Sequence, residues 1–201
     1  MTNLESAFER QDIYIERALR LFLKFGVKSV TIGHIAQALN ISTKTIYKFF
    51  GDKTGLVREC LRLDNLIIAR TYQKILEKEN VLLALLDFYN ELVNRIARVN
   101  PNYFKDIQQY FPEIWHETTT TSTAHIRTIL DRGVGQGYFN PDLDTHLAAE
   151  TIGLLIKATM DEEAFTARVP DRRLLSAQVI YPYIRGICTA RGWEELRRQL
   201  P

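Results

Sequence analysis

The apolar positions of this chain recur at helical spacing. Ile15, Ala18, Leu19, Phe22 and Leu23 fall at i, i+3, i+4, i+7 and i+8, a single stripe on one helix. Gly26 follows it and suits the left-handed position that closes a helix. Thr31 and Ser42 each offer a hydroxyl N-cap for a short helix, and Asp52 can cap a fourth whose stripe runs Leu56, Cys60, Leu63, Ile67 towards Ile75. Further apolar periodicity covers 81–98, 103–110, 113–134, 143–165 and 172–189. Pro101, Pro112, Pro141 and Pro170 stand at the joints, where a missing N–H does least harm. Pro182 lies inside the last pattern and predicts a kink or an earlier helix end. Four consecutive threonines, Thr118 to Thr121, are poor helix formers and predict a bent or loose stretch. There is no defensible strand alternation, internal repeat or low-complexity tail. The expected fold class is all-α.

Composition narrows the classes. With 46% apolar and 25% charged residues, a packed core is expected and bulk disorder is not. The most apolar runs, 81–86 and 152–156, fall far short of the roughly 18 residues a membrane helix needs. Glu5, Glu9 and Asp12 occupy the start of the sequence without an apolar signal core, so a cytoplasmic protein is expected. Cys60 and Cys188 match no CxxC or zinc spacing and read as reduced thiols on helices. A net charge of +2 decides nothing, but its distribution does. Residues 1–55 hold eight Lys/Arg against five Asp/Glu, and from Lys24 to Lys53 there are five lysines and one acid. Such a patch is either a solvated face or the footprint of phosphate contact.

The segment TIGHIAQALNISTKTIYKFFGDK, residues 31–53, favours the second reading. Ile32, Ile35, Ala36 and Leu39 give one short helix an inward face, and Ile46, Phe49 and Phe50 do the same for the next. Ala36 stands at the expected crossing, where a small side chain is required. Asn40 stands at a turn needing positive φ, which Asn tolerates better than any residue except Gly. Ser42 then caps a helix whose first turn and outer surface carry Thr43, Lys44, Thr45, Tyr47 and Lys48. A helix of this kind can enter the major groove and present its N-terminal residues to bases and phosphates.

The spacing from Phe25-Gly26 through Thr31, Ile35-Ala36, Ile41-Ser42, Ile46-Tyr47, Phe50 and Lys53 to Leu56 resembles the N-terminal domain of TetR (tetracycline-repressor) family transcriptional regulators, over roughly residues 8–60. GVGQGYFNPDLD, 133–144, echoes the link before that family's first dimerisation helix. The chain departs from the pattern at Asn40, where the turn is usually glycine, at Lys44, where a small residue or proline is common, and at Gly33, where relatives often carry a polar side chain. These departures bear on the base sequence recognised and leave the fold intact. The resemblance implies a helix-turn-helix DNA-binding domain at 1–55 and a helical effector-binding and dimerisation domain at 56–201. The expected DNA-binding residues are Thr31, His34, Ser42, Thr43, Lys44, Thr45, Tyr47, Lys48 and Lys53. Each also has a plain alternative: Thr31 and Ser42 are caps first, Tyr47 can pack on the domain edge, and His34 can stand idle at the surface.

In that family two long helices of each subunit form a four-helix dimer interface. Here they would be 143–165 and 172–189, with Leu147, Leu154, Leu155, Val179, Ile180, Tyr183 and Ile187 as interface or monomer-core residues. A homodimer is expected, because two recognition helices must lie about 34–36 Å apart to meet successive major grooves. The aromatic and hydroxyl-rich stretch between Tyr89 and His125 supplies candidates for an effector pocket: Tyr89, Phe104, Phe111, Trp115, His116 and Thr119. Ordinary core packing is the alternative for each. Partners are thus operator DNA, a second copy and an unidentified small molecule, with no cofactor or metal and no membrane.

Catalysis finds no support. His116 and His125 are nine apart, His146 with Glu150 is an isolated i, i+4 pair, and there is no GxGxxG, P-loop or GxSxG. The family's commoner mode makes repression from a palindromic operator the expectation. The alternative is a helical ligand-binding or interaction protein that keeps the fold without operator binding.

Overall fold

The structure is a computed structural model that describes residues 5–160 and 172–199; Pro170 and the 161–165 end of the expected 143–165 helix lie outside the described residues. Ten helices are present among them: α1 (Glu5–Phe25), α2 (Ile32–Leu39), α3 (Thr43–Phe50), α4 (Lys53–Leu76), α5 (Val81–Arg98), α6 (Pro101–Tyr110), α7 (Pro112–Gly135), α8 (Thr145–Met160), α9 (Arg172–Ile187) and α10 (Ala190–Gln199). The fold is all-α. The only β feature among the described residues is an isolated bridge between Phe139 and Cys188.

The chain divides into two compact units. The first comprises Met1–Ala69 with Val99–Trp115, and the second Arg70–Arg98 with His116–Pro201. The first unit therefore reaches past residue 55, taking in most of α4, all of α6 and the first residues of α7. Its core joins Ile15, Phe22, Ile35, Ile46 and Leu56 of the N-terminal helices to Tyr103, Phe104, Ile107 and Phe111 of the α6 segment. The Tyr103 hydroxyl donates to the buried Asp64 carboxylate at 2.6 Å, tying α6 to α4 inside that core. Phe104 and Phe111 are thus part of the core of this unit, and Trp115 packs partly buried against the same cluster.

In the second unit α9 packs on α8 and α5, and α10 on α5. The helix α10 has no counterpart in the expected elements. Its signal, Trp193 and Leu196 three apart among charges, is too short to read as periodicity. α9 continues through Pro182 to Ile187 rather than ending there. The threonine run is fully helical within α7. Hydroxyls of Thr119, Thr121 and Thr123 fold back onto the carbonyls of His116, Glu117 and Thr119, which satisfies them within the helix. Arg132 donates to the carbonyl of Leu76, the last residue of α4, and to that of Lys78 beyond it, and Gln136 donates to that of Glu79 at 2.9 Å, so the end of α7 holds the turn between α4 and α5.

His125 lies on α7 with its ring edge-on to Tyr72, centroids 5.6 Å apart, and its buried Nδ1 meets no hydrogen-bond partner among the described residues. Burial pushes its pKa below the ordinary histidine value. The unfolded chain therefore takes up this proton more readily than the folded one, so stability is kept above the unfolded value of about 6.5 and lost as pH falls through it. Paired urea melts between pH 7.5 and 5.5 are expected to show wild type losing more stability than His125→Phe. Equal losses would rule this contribution out.

Candidate nucleic-acid interface

The region 31–53 folds as a helix-turn-helix, and local chemistry accounts for each corner. Thr31 takes an extended backbone and its hydroxyl accepts from the His34 N–H at 3.1 Å, opening α2. Asn40 follows α2 at φ 55°, ψ 45°. Its N–H donates to the Gln37 carbonyl at 3.1 Å and the Ile41 N–H to that of Ala36 at 3.0 Å. That pair of bonds is a Schellman closure, with Asn in the left-handed seat glycine usually takes. Ser42 opens α3 by accepting from the Thr45 N–H at 3.1 Å, and the two hydroxyls meet at 2.9 Å. Asp52 caps α4 through the Gly55 N–H at 2.8 Å. A Cβ on Gly55 would stand 2.1 Å from the Phe50 carbonyl oxygen, so only glycine lets α4 start this close to the end of α3.

α3 is divided sharply into two faces. Ile46 is fully buried and Phe50 nearly so, while Phe49 meets Tyr14 edge-to-face at 5.8 Å. Thr43, Lys44, Tyr47 and Lys48, spaced i, i+1, i+4 and i+5, are exposed on the other side. Tyr47 keeps 51% of its surface in solvent, which excludes packing at the domain edge as its full account. Thr45 is half-buried, with its hydroxyl against Ser42.

The remaining candidates flank this face. Thr31 and His34 are exposed at the head of α2, with the His34 ring 5.8 Å from that of Phe25. The Lys24 ammonium lies 5.1 Å over the same phenyl ring, adding a cation that the motif did not single out. Lys53 is half-buried at the first turn of α4 and its ammonium donates to the Lys28 carbonyl at 3.3 Å. Burial draws its pKa down while the charge of Asp106 opposes that shift. Asp106 lies 53 residues further along the chain and carries no sequence signal connecting it to this surface.

The second unit holds an apolar cavity of about 20 Å³, lined among others by Leu85, Tyr89, Ile126, Ile152, Ile184 and Leu196. Of the residues expected to form an effector pocket, Tyr89 alone lines it, its ring 5.0 Å from that of Tyr181. His116 is exposed and Thr119 half-buried on α7, and neither lines the cavity. Of the expected dimer residues, Leu147 and Leu154 are 59% and 67% exposed, while Leu155, Val179 and Tyr183 are half-buried. Ile180 and Ile187 are buried inside the unit, Ile180 in the cavity wall. The helical pattern of α9 showed an apolar side without showing which way it faces. His146 and Glu150 form an exposed pair 3.4 Å apart.

The sequence profile of "Bacterial regulatory proteins, tetR family" matches residues 15–60, the span from α1 to the first turns of α4. The chain is 26% identical over 161 residues to the HTH-type transcriptional repressor KstR2 of Rhodococcus jostii, covering 69% of this chain and 72% of that one. Among solved structures, the ketosteroid transcriptional regulator KstR2 of Mycobacterium tuberculosis superposes with a TM-score of 0.56 at 22% identity, over 90% of this chain and 95% of that one. A TetR-family regulator from Marinobacter aquaeolei does so at 0.73 and 17% identity, over 94% and 96%. The exposed, twice-capped helix α3 lies within the matched span, so residues 15–60 form a helix-turn-helix domain of the tetR type, and the chain is a DNA-binding transcriptional regulator.

Proposed function

We propose that the chain is a repressor that binds a palindromic operator as a homodimer, in the cytoplasm, and is released by a small molecule. Its work is binding rather than catalysis. The observation that carries this reading is the exposed face of α3, where Thr43, Lys44, Tyr47 and Lys48 stand free of the core that holds the helix. Ser42, Thr45, Thr31 and His34 support it from the two helix starts, and Lys53 supplies a further phosphate contact. The name of the Rhodococcus relative, a repressor, supports the sign of regulation. In this reading the part that meets DNA is 1–55, buttressed by 99–115 of the same compact unit, and effector binding and dimerisation belong to the second unit within 56–201.

The effector site proposed is the apolar cavity of the second unit. Its walls carry no charged side chain, which favours an uncharged, largely apolar molecule. The ketosteroid regulator among the structural neighbours is in keeping with that chemistry. The cavity is so small that a ligand must push side chains apart to enter. Exposed Leu147 and Leu154 on α8 supply apolar surface for the second copy.

Selection of duplexes from a random pool by the full chain tests the reading, and recovery of no enriched sequence would end it. On a selected duplex, Tyr47→Ala is expected to weaken binding about tenfold, while Lys48→Ala weakens all duplexes alike and lowers the salt slope by about one. Lys44→Ala should change which base is preferred at one position of each half-site, by about 1–3 kcal/mol, in a repeat of the selection. Sedimentation at micromolar concentration should give a dimer, and Leu154→Glu should shift it towards monomer; a monomeric wild type contradicts the proposal.

A further inference from the structure

We propose that Asp106 is a positioning residue for DNA binding: from α6 its carboxylate fixes the loop between α1 and α2 at Lys28, and through that loop it sets the Lys53 ammonium at the head of α4. The assignment rests on the reading of Lys53 as a phosphate contact, and it places a determinant of DNA affinity on a helix outside the helix-turn-helix.

The geometry forms a relay of three residues within one compact unit. Asp106 is only 7% exposed, and its Oδ2 accepts from the Lys28 backbone N–H at 2.6 Å. The carbonyl of the same Lys28 accepts from Lys53 Nζ at 3.3 Å. One residue of the loop is thus held by an anion at its N–H and by a cation at its carbonyl. Each bond orients the peptide groups for the other, as expected of charge-assisted hydrogen bonds acting in series.

The surroundings hold the relay in register. Asn100, at the start of α6, donates from its N–H to the Leu23 carbonyl at 2.8 Å and from its amide to the Lys24 carbonyl at 3.2 Å. These are carbonyls of the last turn of α1, which the helix itself leaves open. Gly26 turns the chain at φ 84°, and a Cβ there would come within 3.1 Å of the Asn102 Cβ and 3.3 Å of Asp106 Oδ2. α6 therefore seats directly against the turn, and Asp106 cannot swing aside without opening that contact.

Packing alone gives no reason for a carboxylate here. A buried charge is costly unless it is paired, and an apolar residue of similar size would fill the space more cheaply. The groups this carboxylate meets are the Lys28 N–H and the field of the Lys53 ammonium. That field opposes the downward pull of burial on the Lys53 pKa, so the carboxylate acts on this ammonium by charge as well as through the shared loop residue.

The test uses the full chain and a duplex enriched by wild type from a random pool, titrated at several salt concentrations. Asp106→Asn, nearly isosteric, is expected to bind about five- to tenfold more weakly and to lower the salt slope by about one, as Lys53→Ala does. The double variant is expected to bind no more weakly than Lys53→Ala alone, the signature of two residues acting through one contact. Asp106→Asn binding within twofold of wild type overturns the assignment. So does a loss that multiplies with that of Lys53→Ala, which is what a merely structural role would give. Lys53→Ala binding like wild type instead removes the phosphate contact itself, and the relay with it. A measurement on wild type alone guards against a variant that fails to fold: the Lys28 amide must exchange with solvent more slowly than the exposed Ser29 amide beside it, and an unprotected Lys28 amide overturns the proposal.

Discussion

An eight-residue helix is too short to persist alone in water, so α3 exists as an exposed helix only because something else holds it. Ile46 and Phe50 anchor it from below, and burying each stabilises by about 1.5–3 kcal/mol. Ser42 at its start contributes about 1 kcal/mol more. The anchoring consumes one face entirely, which is why the opposite face can be polar and exposed without unravelling. Position and exposure of the side chains on the outer face of α3 are thus set by the residues buried on its inner face.

The same constraint explains what could be read from sequence. Caps and turns act through neighbours within five residues, so Thr31, Asn40, Ser42 and Asp52 announced the helix starts and the turn, and the structure uses each of them so. The extents of α5, α6 and α7 followed from periodicity for the same reason, while α10 was too short to show any. What periodicity lacks is direction. Ile180 and Ile187 lie on an apolar side of α9 that faces inward, as easily as it would have faced a partner. Phe104 and Phe111 sit in an aromatic-rich stretch that suggested a pocket, yet they complete the core of the N-terminal unit. A residue's partner across many tens of positions is set by tertiary packing, and no local pattern encodes it.

That long-range assembly gives the N-terminal unit its composition. It is not a contiguous segment: 99–115 returns to it after the chain has built α5 in the second unit. The core formed by Tyr103, Phe104 and Ile107 with α1 and α4 makes the stability of the DNA-binding unit depend on a distant stretch of sequence. A fragment ending at residue 60 would match the family profile while lacking part of its own interior.

Cys60 shows what that interior does to chemistry. Its thiol is fully buried on α4, 3.5 Å from the Ile15 carbonyl, and burial together with the nearby acids Asp64 and Glu59 pushes its pKa far above the ordinary thiol range. Since the thiolate is the nucleophile, a sulfur so buried is expected to react slowly with alkylating reagents as long as the packing around it holds. Its labelling rate is then a clock for opening of the DNA-binding unit, ticking only when α1 and α4 part.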